Sequence, residues 1–307
     1  MKRPNLFACV LLGGACLFCA ANSRGQSVLR SPEFRAGQTF FYGLDFSFSR
    51  NLTSLSALSS PQLPPSTTFQ VRGLLQVAVK EISGATVHFE TFYSEPDAAS
   101  DRKAQSEESH PDRKVEVWLS GNGAVSKVLG LDQLSSEQQI AWNAWLGQFT
   151  ATMNYPRKAL RSGQKWEANE PETSPSPIAE LSWARKYTYV RNEPCPDENV
   201  AAAPMSKPET CAVILVRSVL RQKSSPKNAT PADYKSQGLT TRGSAGGENE
   251  TILYVAQASG LLTRATESAN QTMDVTIALA DGSNQVHYTI QAKSRSAIRL
   301  LEAKTRP

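Results

Sequence analysis

The chain has little of what an enzyme or a metalloprotein needs. It contains 3 histidines, His88, His110 and His287, and no His-x-x-x-His or Cys-x-x-Cys spacing of the kind that holds a metal ion. The glycine-rich turns that bind phosphates and dinucleotides are absent, and so is the Gly-x-Ser-x-Gly turn of hydrolases. We therefore predict no catalytic residue, no metal site and no cofactor, and we favour a protein without catalytic activity. A hydrolytic enzyme of unrecognised type is the alternative.

One pair of polar residues needs separate treatment. His88 and Glu90 stand two positions apart in an alternating segment, which places both side chains on the same face of a strand. Such a pair can bind a metal or transfer a proton. It is more often a solvent-facing polar pair, and we prefer that interpretation.

The apolar run at the N-terminus is too short for a transmembrane helix. It extends from Leu6 to Ala21 and follows Lys2 and Arg3, with about 16 residues against about 20 for a bilayer span. A basic start, a short apolar run and a polar exit are typical of a secretory signal peptide. We predict that residues 1–25 are a signal peptide, that the protein is exported to the periplasm or the extracellular space, and that it has no permanent membrane span.

Two details of this signal stay open. Cleavage after Gly25 is preferred, and cleavage after Ala21 is the other option, since small residues precede both positions. A lipid anchor at Cys16 is disfavoured because the leucine that should precede it, Leu12, is one place too early.

Little net charge remains once the signal is removed. The loss of Lys2, Arg3 and Arg24 leaves 30 of the 33 basic residues against 28 acidic ones, so the net charge falls from +5 to about +2. The chain has no dense Lys/Arg block of the kind that binds a phosphate backbone. We therefore do not expect nucleic acid as a partner.

Cysteine is scarce in the mature chain. Of 5 cysteines, Cys9, Cys16 and Cys19 belong to the signal, so Cys195 and Cys211 remain. Two cysteines in an oxidising compartment predict a disulfide. A bridge that closes a loop of this size contributes about 3 kcal/mol in the chain-entropy model.

Alternation of apolar and polar residues dominates the rest of the chain. Segments 38–49 and 69–80 place an apolar side chain at nearly every second position, and segments 272–280 and 285–293 do the same on either side of the turn Asp281–Asn284. This period is typical of half-buried strands, and the short connections predict antiparallel pairing.

Helical periodicity is convincing once, at about 136–149. Ser135 or Ser136 is the expected N-cap, with Gln138 or Gln139 three places on as in a capping box. The fold prediction is therefore a mainly β protein: an antiparallel curved sheet or sheets, as a β-sandwich or half-barrel, arranged as two similar β halves with one central α-helix.

A weak internal repeat suggests how the halves are arranged. Gly37–Phe40 and Gly163–Trp166 open the two sets of strands, and Gly123–Val128 resembles Gly260–Ala265. The predicted organisation is a first β half at 26–134, the central helix at 135–150, and a second β half at 151–307 with long polar loops at 192–210 and 222–250. A duplicated β unit explains these sequence similarities, and chance is the alternative explanation.

A short motif follows the central helix and opens the second half: Tyr155, Pro156, Gly163, Gln164 and Trp166. With these residues the chain resembles a class of uncharacterised exported bacterial proteins that look like the curved sheets with a packed helix of the LolA/LolB lipoprotein-carrier type. The resemblance implies an envelope protein that holds something apolar or another protein. It carries over no site residues.

The aromatic side chains of the central helix are the candidate binding residues. Trp142, Trp145, Leu146 and Phe149 line a cavity for an acyl chain or another apolar ligand, or they fill the core between helix and sheet; ordinary packing is the simpler explanation. The predicted function is thus an exported, non-catalytic envelope or periplasmic protein that binds an apolar ligand (a lipid, for example) or an envelope protein.

Overall fold

The computed structural model describes residue 29 and residues 31–54, 66–95, 113–156, 160–172, 176–196 and 209–305. The predicted signal peptide at 1–25, including Cys16, lies outside the described residues, as does His110. The statements below concern the described part of the chain.

The fold is mainly β, as the alternation predicts. Eleven antiparallel strands form one curved, unclosed sheet, so the structure has a single sheet rather than the two of a sandwich. The strands are β1 Gln38–Ser54, β2 Ser66–Ser83, β3 Thr86–Ser94, β4 Lys114–Ser120, β5 Val125–Leu129, β6 Lys165–Pro171, β7 Leu181–Pro194, β8 Thr210–Gln222, β9 Leu239–Ala256, β10 Leu262–Leu279 and β11 Val286–Thr305.

The order of strands across the sheet is β5-β4-β3-β2-β1-β11-β10-β9-β8-β7-β6. Every strand therefore pairs with its neighbour in sequence, except that β5 and β6 stand at opposite edges and β1 pairs with β11. The β1–β11 pairing runs from Gln38 opposite Thr305 to Ser54 opposite Tyr288. It joins the β1–β5 meander to the β6–β11 meander.

The central helix, α1, spans Ser136–Ala151 and connects β5 to β6. The predicted capping box is confirmed: the Ser135 hydroxyl oxygen accepts a hydrogen bond from the Gln138 backbone N–H at 3.3 Å, and the Ser135 backbone N–H donates to Gln138 Oε1 at 3.1 Å. These bonds satisfy donors that the first helical turn leaves without an internal partner. A second, short helix, α2, spans Ala232–Ser236.

Helix α1 packs on one face of the sheet, which we call the helix face; the other is the outer face. In β1 the buried side chains Phe40, Tyr42, Leu44 and Phe46 alternate with residues of the outer face. Since full burial of one such side chain contributes about 1.5–3 kcal/mol, this stripe and its counterparts on neighbouring strands hold the helix against the sheet.

Two predicted boundaries differ from the structure. Segment 222–250, expected to be a polar loop, contains α2 and the first half of β9. The run 239–250 is rich in glycine and polar residues, so its intrinsic strand preference is low; hydrogen bonding to β10 and, over its last residues, to β8 makes it a strand. Likewise segment 272–280, expected to be a strand of its own, is the second part of β10, because β9 and β11 flank β10 along its length.

The turns that precede β1 and β6 have the same hydrogen bonds. In the first, the Arg35 N–H donates to Gln38 Oε1 at 2.7 Å, the Gln38 N–H donates to the Arg35 carbonyl at 3.1 Å, and the Gly37 N–H donates to Val79 of β2 at 2.9 Å. In Arg161–Gln164 the corresponding distances are 3.1, 2.9 and 2.7 Å, the last to β7. This likeness is what a duplicated unit requires, and the duplication itself stays a prediction.

The predicted disulfide is present. Cys195 and Cys211 are bonded, and the bridge joins the end of β7 to the start of β8. It closes the connection that contains 197–208, while backbone pairing between the same two strands continues from Pro194 opposite Thr210. The bridge therefore fixes the end of a hairpin whose connecting segment is long.

Candidate functional site

The four predicted binding residues lie together on the side of α1 that faces the sheet. Trp142, Trp145, Leu146 and Phe149 are all buried. The Trp145 and Phe149 rings stack with centroids 5.0 Å apart, and Trp142 and Trp145 lie 6.0 Å apart. The Trp145 ring also lies 6.2 Å from that of Tyr42 on β1. The helix is thus held by ring-to-ring packing.

The two tryptophans differ in their polar contacts. The Trp142 indole N–H donates to Thr91 Oγ1 at 3.0 Å, and the Thr91 hydroxyl donates to the Val115 carbonyl at 3.0 Å. This chain links the helix to β3 and β4. The Trp145 indole N–H, equally buried, has no hydrogen-bond partner among the described residues.

Two open cavities of the described structure are not at these rings. One is lined by residues of β9, β10 and β11, and the other by residues 31–38 and 258–261. The side chains of Trp142, Trp145, Leu146 and Phe149 fill the space between helix and sheet. Ligand binding by these four residues stays a prediction.

A polar belt crosses the helix face at the edge of the aromatic core. Gln148 of α1 donates a hydrogen bond to Ser296 Oγ on β11, and the neighbouring position on β10 is Glu267. Thr251 of β9 donates to Glu267 at 3.1 Å. Burial raises the pKa of the Glu267 carboxyl, whereas hydrogen bonds and the charge of Arg185 oppose the rise.

The belt ends at Arg185 on β7. Its guanidinium forms an ion pair with Glu170 of β6 at 3.0 Å, and its Nε is buried without a hydrogen-bond partner in the described structure. The Gln148 Oε1 atom is likewise buried without a hydrogen-bond partner in the described structure. Buried polar atoms of this kind cost free energy unless water or another group satisfies them. The belt therefore carries two of the buried polar atoms that lack a hydrogen-bond partner in the described structure.

Beyond the belt, the helix face carries a second apolar region that α1 does not reach. Leu52, Ile290, Met273 and Ala245 stand directly opposite one another on β1, β11, β10 and β9. We call these four residues the apolar row. All four are half-buried. Closer to the helix, Phe48 and Phe69 stack with centroids 5.1 Å apart and are also half-buried.

The apolar row was not recognised from the sequence. Leu52 lies in a Ser- and Pro-rich stretch, where alternation fades and a connector is expected. Met273 and Ile290 were assigned to strands, but nothing in the local pattern shows whether a helix covers them. Whether these residues are covered depends on where α1 lies along the long strands, and this position is a property of the tertiary structure.

The histidines do not form a site with several ligands. His88 Nε2 lies 3.0 Å from a Glu116 carboxylate oxygen, and its ring stacks on Trp118 at 4.1 Å. Glu90 instead pairs with Lys80 and Lys114 at 3.0 and 3.2 Å. No group of three His, Cys, Asp or Glu residues suited to a metal ion occurs in the described part of the chain.

The outer-face residues around His88 form a network of ion pairs. The Lys114 ammonium lies 2.8 Å from Glu116 and lowers the pKa of that carboxyl, although partial burial opposes the effect. The pairs Lys80–Glu90, Lys114–Glu116 and His88–Glu116 therefore stabilise neighbouring strands. His287, near the other end of the sheet, lies 3.1 Å from Asp274.

Comparison with known proteins adds little to this geometry. No family model matches the chain, and no curated protein matches it. Among solved structures, it is similar to the outer membrane protein OprG from Pseudomonas aeruginosa, at 8% identity over 90% of this chain and 100% of that chain, with a TM-score of 0.22. A TM-score this low supports no argument about fold or function.

Within the described residues, no helix is long and apolar enough to cross a membrane.

Proposed function

We propose that the protein is an exported, non-catalytic binding protein of the bacterial cell envelope that binds an apolar ligand, such as a lipid, on its apolar row. The observation that carries this proposal is that α1 leaves the row only half-buried. Two of its residues, Met273 and Ala245, pack at the margin of a second buried cluster formed by Ile178, Leu181, Leu220, Ala229 and Val275. Gln148 of α1 reaches β11 at Ser296, whereas the row crosses β11 at Ile290, about 20 Å farther along the strand at 3.3 Å per residue.

The shape of the region supports an apolar ligand. Four side chains on four adjacent strands present a continuous apolar strip about 14 Å across, since neighbouring strands are about 4.8 Å apart. On the side toward the belt, the next position of the row is Ala292 of β11, which stands between Arg50 of β1 and Gln271 of β10, so polar side chains border the strip there. Each buried methylene group of the ligand would contribute about 0.8 kcal/mol.

Export is supported by the N-terminal pattern alone. The basic start, the apolar run and the polar exit of residues 1–25 are typical of a signal peptide. The disulfide between Cys195 and Cys211 agrees with an oxidising compartment. Whether the protein stays in the periplasm or is released is a separate question for fractionation of the producing cells.

The experiment combines native mass spectrometry with a fluorescent probe. Protein purified from the envelope fraction is expected to carry a bound lipid, and to enhance the fluorescence of 1-anilinonaphthalene-8-sulfonate in a manner that oleate reverses. The variant Met273→Ser/Ile290→Ser is expected to lose both properties. A matched variant on the outer face, Val219→Ser/Leu301→Ser, removes two exposed apolar side chains and is expected to keep them.

Three results would count against the proposal. The wild-type protein shows neither a bound lipid nor probe binding; both variants lose binding equally; or the protein leaves the envelope fraction with a stoichiometric protein partner and no lipid. The last outcome would favour a protein ligand. Circular dichroism of each variant establishes that it is folded.

A further inference from the structure

The outer face of β10 and β11 carries a cluster of hydroxyl and amide side chains around a cavity. Thr272 and Asp274 of β10 stand opposite Gln291 and Thr289 of β11 and opposite Gly246 and Ser244 of β9. These six residues, together with Ala245, Met273 and Ile290 between them, line an open cavity of about 350 Å³. Because Gly246 has no side chain, the sheet is recessed there. Asp274, the one acid of the cavity, is already engaged by His287 at 3.1 Å.

Two cations continue the same face of β11 directly beyond Gln291. Lys293 and Arg295 are exposed, and their ammonium and guanidinium groups arise from Cα positions about 6.7 Å apart, two residues along one strand. Their cross-strand neighbours are uncharged: Ser49 and Asn270 beside Lys293, and Ser47 and Ser268 beside Arg295.

Lys293 and Arg295 differ from Lys114 and Arg217, two paired cations of the same face. None of the ion pairs found among the described residues includes Lys293 or Arg295. By contrast, Lys114 pairs with two carboxylates and Arg217 pairs with Glu250 at 2.9 Å. The nearest acid on this face is Asp45, diagonal to Arg295 on β1 and already paired with Arg72. Glu248 and Glu250 lie one strand beyond Asn270 and Ser268, and Glu250 is paired with Arg217. Positive charge here is therefore available to an external ligand.

We propose that this outer-face cluster binds an anionic polysaccharide. Sugar hydroxyls both donate and accept hydrogen bonds, as do the Ser, Thr, Asn and Gln side chains of the cluster. Regularly spaced acidic groups on a glycan would meet Lys293 and Arg295 while neighbouring sugars occupy the recess at Gly246. The open, elongated shape suits a segment of a polymer. An anionic membrane would need apolar side chains beside the cations, and the cross-strand neighbours of Lys293 and Arg295 are hydroxyl and amide residues.

The polar side chains of this cluster lie on the opposite face of the sheet from the side chains of the apolar row, although Ala245, Met273 and Ile290 also line the cavity. The proposal therefore goes beyond the proposed function and does not depend on it. Alternation along β11 makes the separation explicit: Ile290 belongs to the helix face, and Gln291 and Lys293 belong to the outer face. Substitutions at one site leave the side chains of the other in place.

The test measures calorimetric binding of the full-length exported protein to three polymers: alginate as an anionic glycan, dextran as a neutral glycan, and poly-glutamate as a polyanion without sugars. Alginate is expected to bind, and more weakly as the ionic strength rises. The variant Lys293→Gln/Arg295→Gln is expected to lower alginate affinity about tenfold, since it removes two exposed charge contacts. The variant Thr272→Ala/Gln291→Ala is expected to weaken alginate binding as well.

The matched control is Lys165→Gln/Lys186→Gln, which removes the same charge from the outer face of β6 and β7 and is expected to leave alginate affinity unchanged. The proposal is overturned if alginate does not bind, if dextran or poly-glutamate binds as tightly as alginate, or if the control variant loses as much affinity as Lys293→Gln/Arg295→Gln. Probe binding at the apolar row is expected to be normal in all of these variants, which separates this proposal from the proposed function.

Discussion

The two tryptophans of α1 allow the contribution of one buried hydrogen bond to be measured against an internal control. Trp142 and Trp145 are both buried, and they lie on the same helix with their rings 6.0 Å apart. The Trp142 N–H donates to Thr91 at 3.0 Å, whereas the Trp145 N–H has no partner among the described residues. Replacing each by phenylalanine removes the same atoms from similar surroundings.

The expected difference follows from what each substitution does to the N–H group. Trp142→Phe removes a satisfied hydrogen bond, whose net contribution is about 1 kcal/mol. Trp145→Phe removes a buried donor without a partner, and so relieves a desolvation cost of about 1–3 kcal/mol. The loss of ring volume is common to both. Trp142→Phe should therefore lower the free energy of unfolding by about 2–4 kcal/mol more than Trp145→Phe does.

The assay is urea unfolding of the oxidised protein followed by far-ultraviolet circular dichroism, because both substitutions alter the tryptophan fluorescence. Thr91→Val completes a double-mutant cycle with Trp142→Phe, and the two effects should be non-additive because the residues are in contact. Equal destabilisation by Trp142→Phe and Trp145→Phe, together with additivity in the cycle, would refute the reasoning.

Three further substitutions test other parts of the structure. Burial raises the pKa of the Glu267 carboxyl, so the folded state holds this proton more tightly than the unfolded chain does. The free energy of unfolding therefore falls as the pH rises through and above the ordinary carboxyl range. Glu267→Gln should be more stable than wild type at pH 7 and about equally stable at pH 4, and an unchanged pH profile would contradict this. Reducing the Cys195–Cys211 bridge should lower the free energy of unfolding by about 3 kcal/mol, with Cys195→Ser/Cys211→Ser unaffected by reductant. Ser135→Ala should cost about 1 kcal/mol by removing the helix cap, whereas Ser136→Ala should be nearly neutral in the same unfolding assay.

Local patterns were sufficient where a single element decides its own conformation. The helix was predicted within two residues of its end, because Ser135 and Gln138 form a local cap and the apolar positions have helical spacing. The disulfide was predicted by elimination, since two cysteines remain outside the predicted signal peptide. In both cases the determining residues are close in sequence or few in number.

Patterns failed where the conformation depends on neighbouring strands. Residues 239–250 have weak strand propensity and become part of β9 because flanking strands satisfy their backbone. Segment 268–271, in the middle of β10, lacks strong alternation in its sequence and is a strand because β9 and β11 flank it. The apolar row and the outer-face cluster each combine residues of three or more strands, so their composition appears only once the register is known.

The pairing between β1 and β11 has a consequence for how the chain acquires its structure. Every other strand pairing joins sequence neighbours, whereas this one joins segments at opposite ends of the described chain. Loop closure of that size is slow and entropically costly. If the chain crosses a membrane with its N-terminus first, one edge of β1 has no hydrogen-bonding partner until β11 has also crossed. An unpaired edge of 17 residues can pair with the strands of other chains. The interval between the appearance of the two strands is when this protein is most exposed to aggregation, and when a chaperone that covers strand edges would protect it.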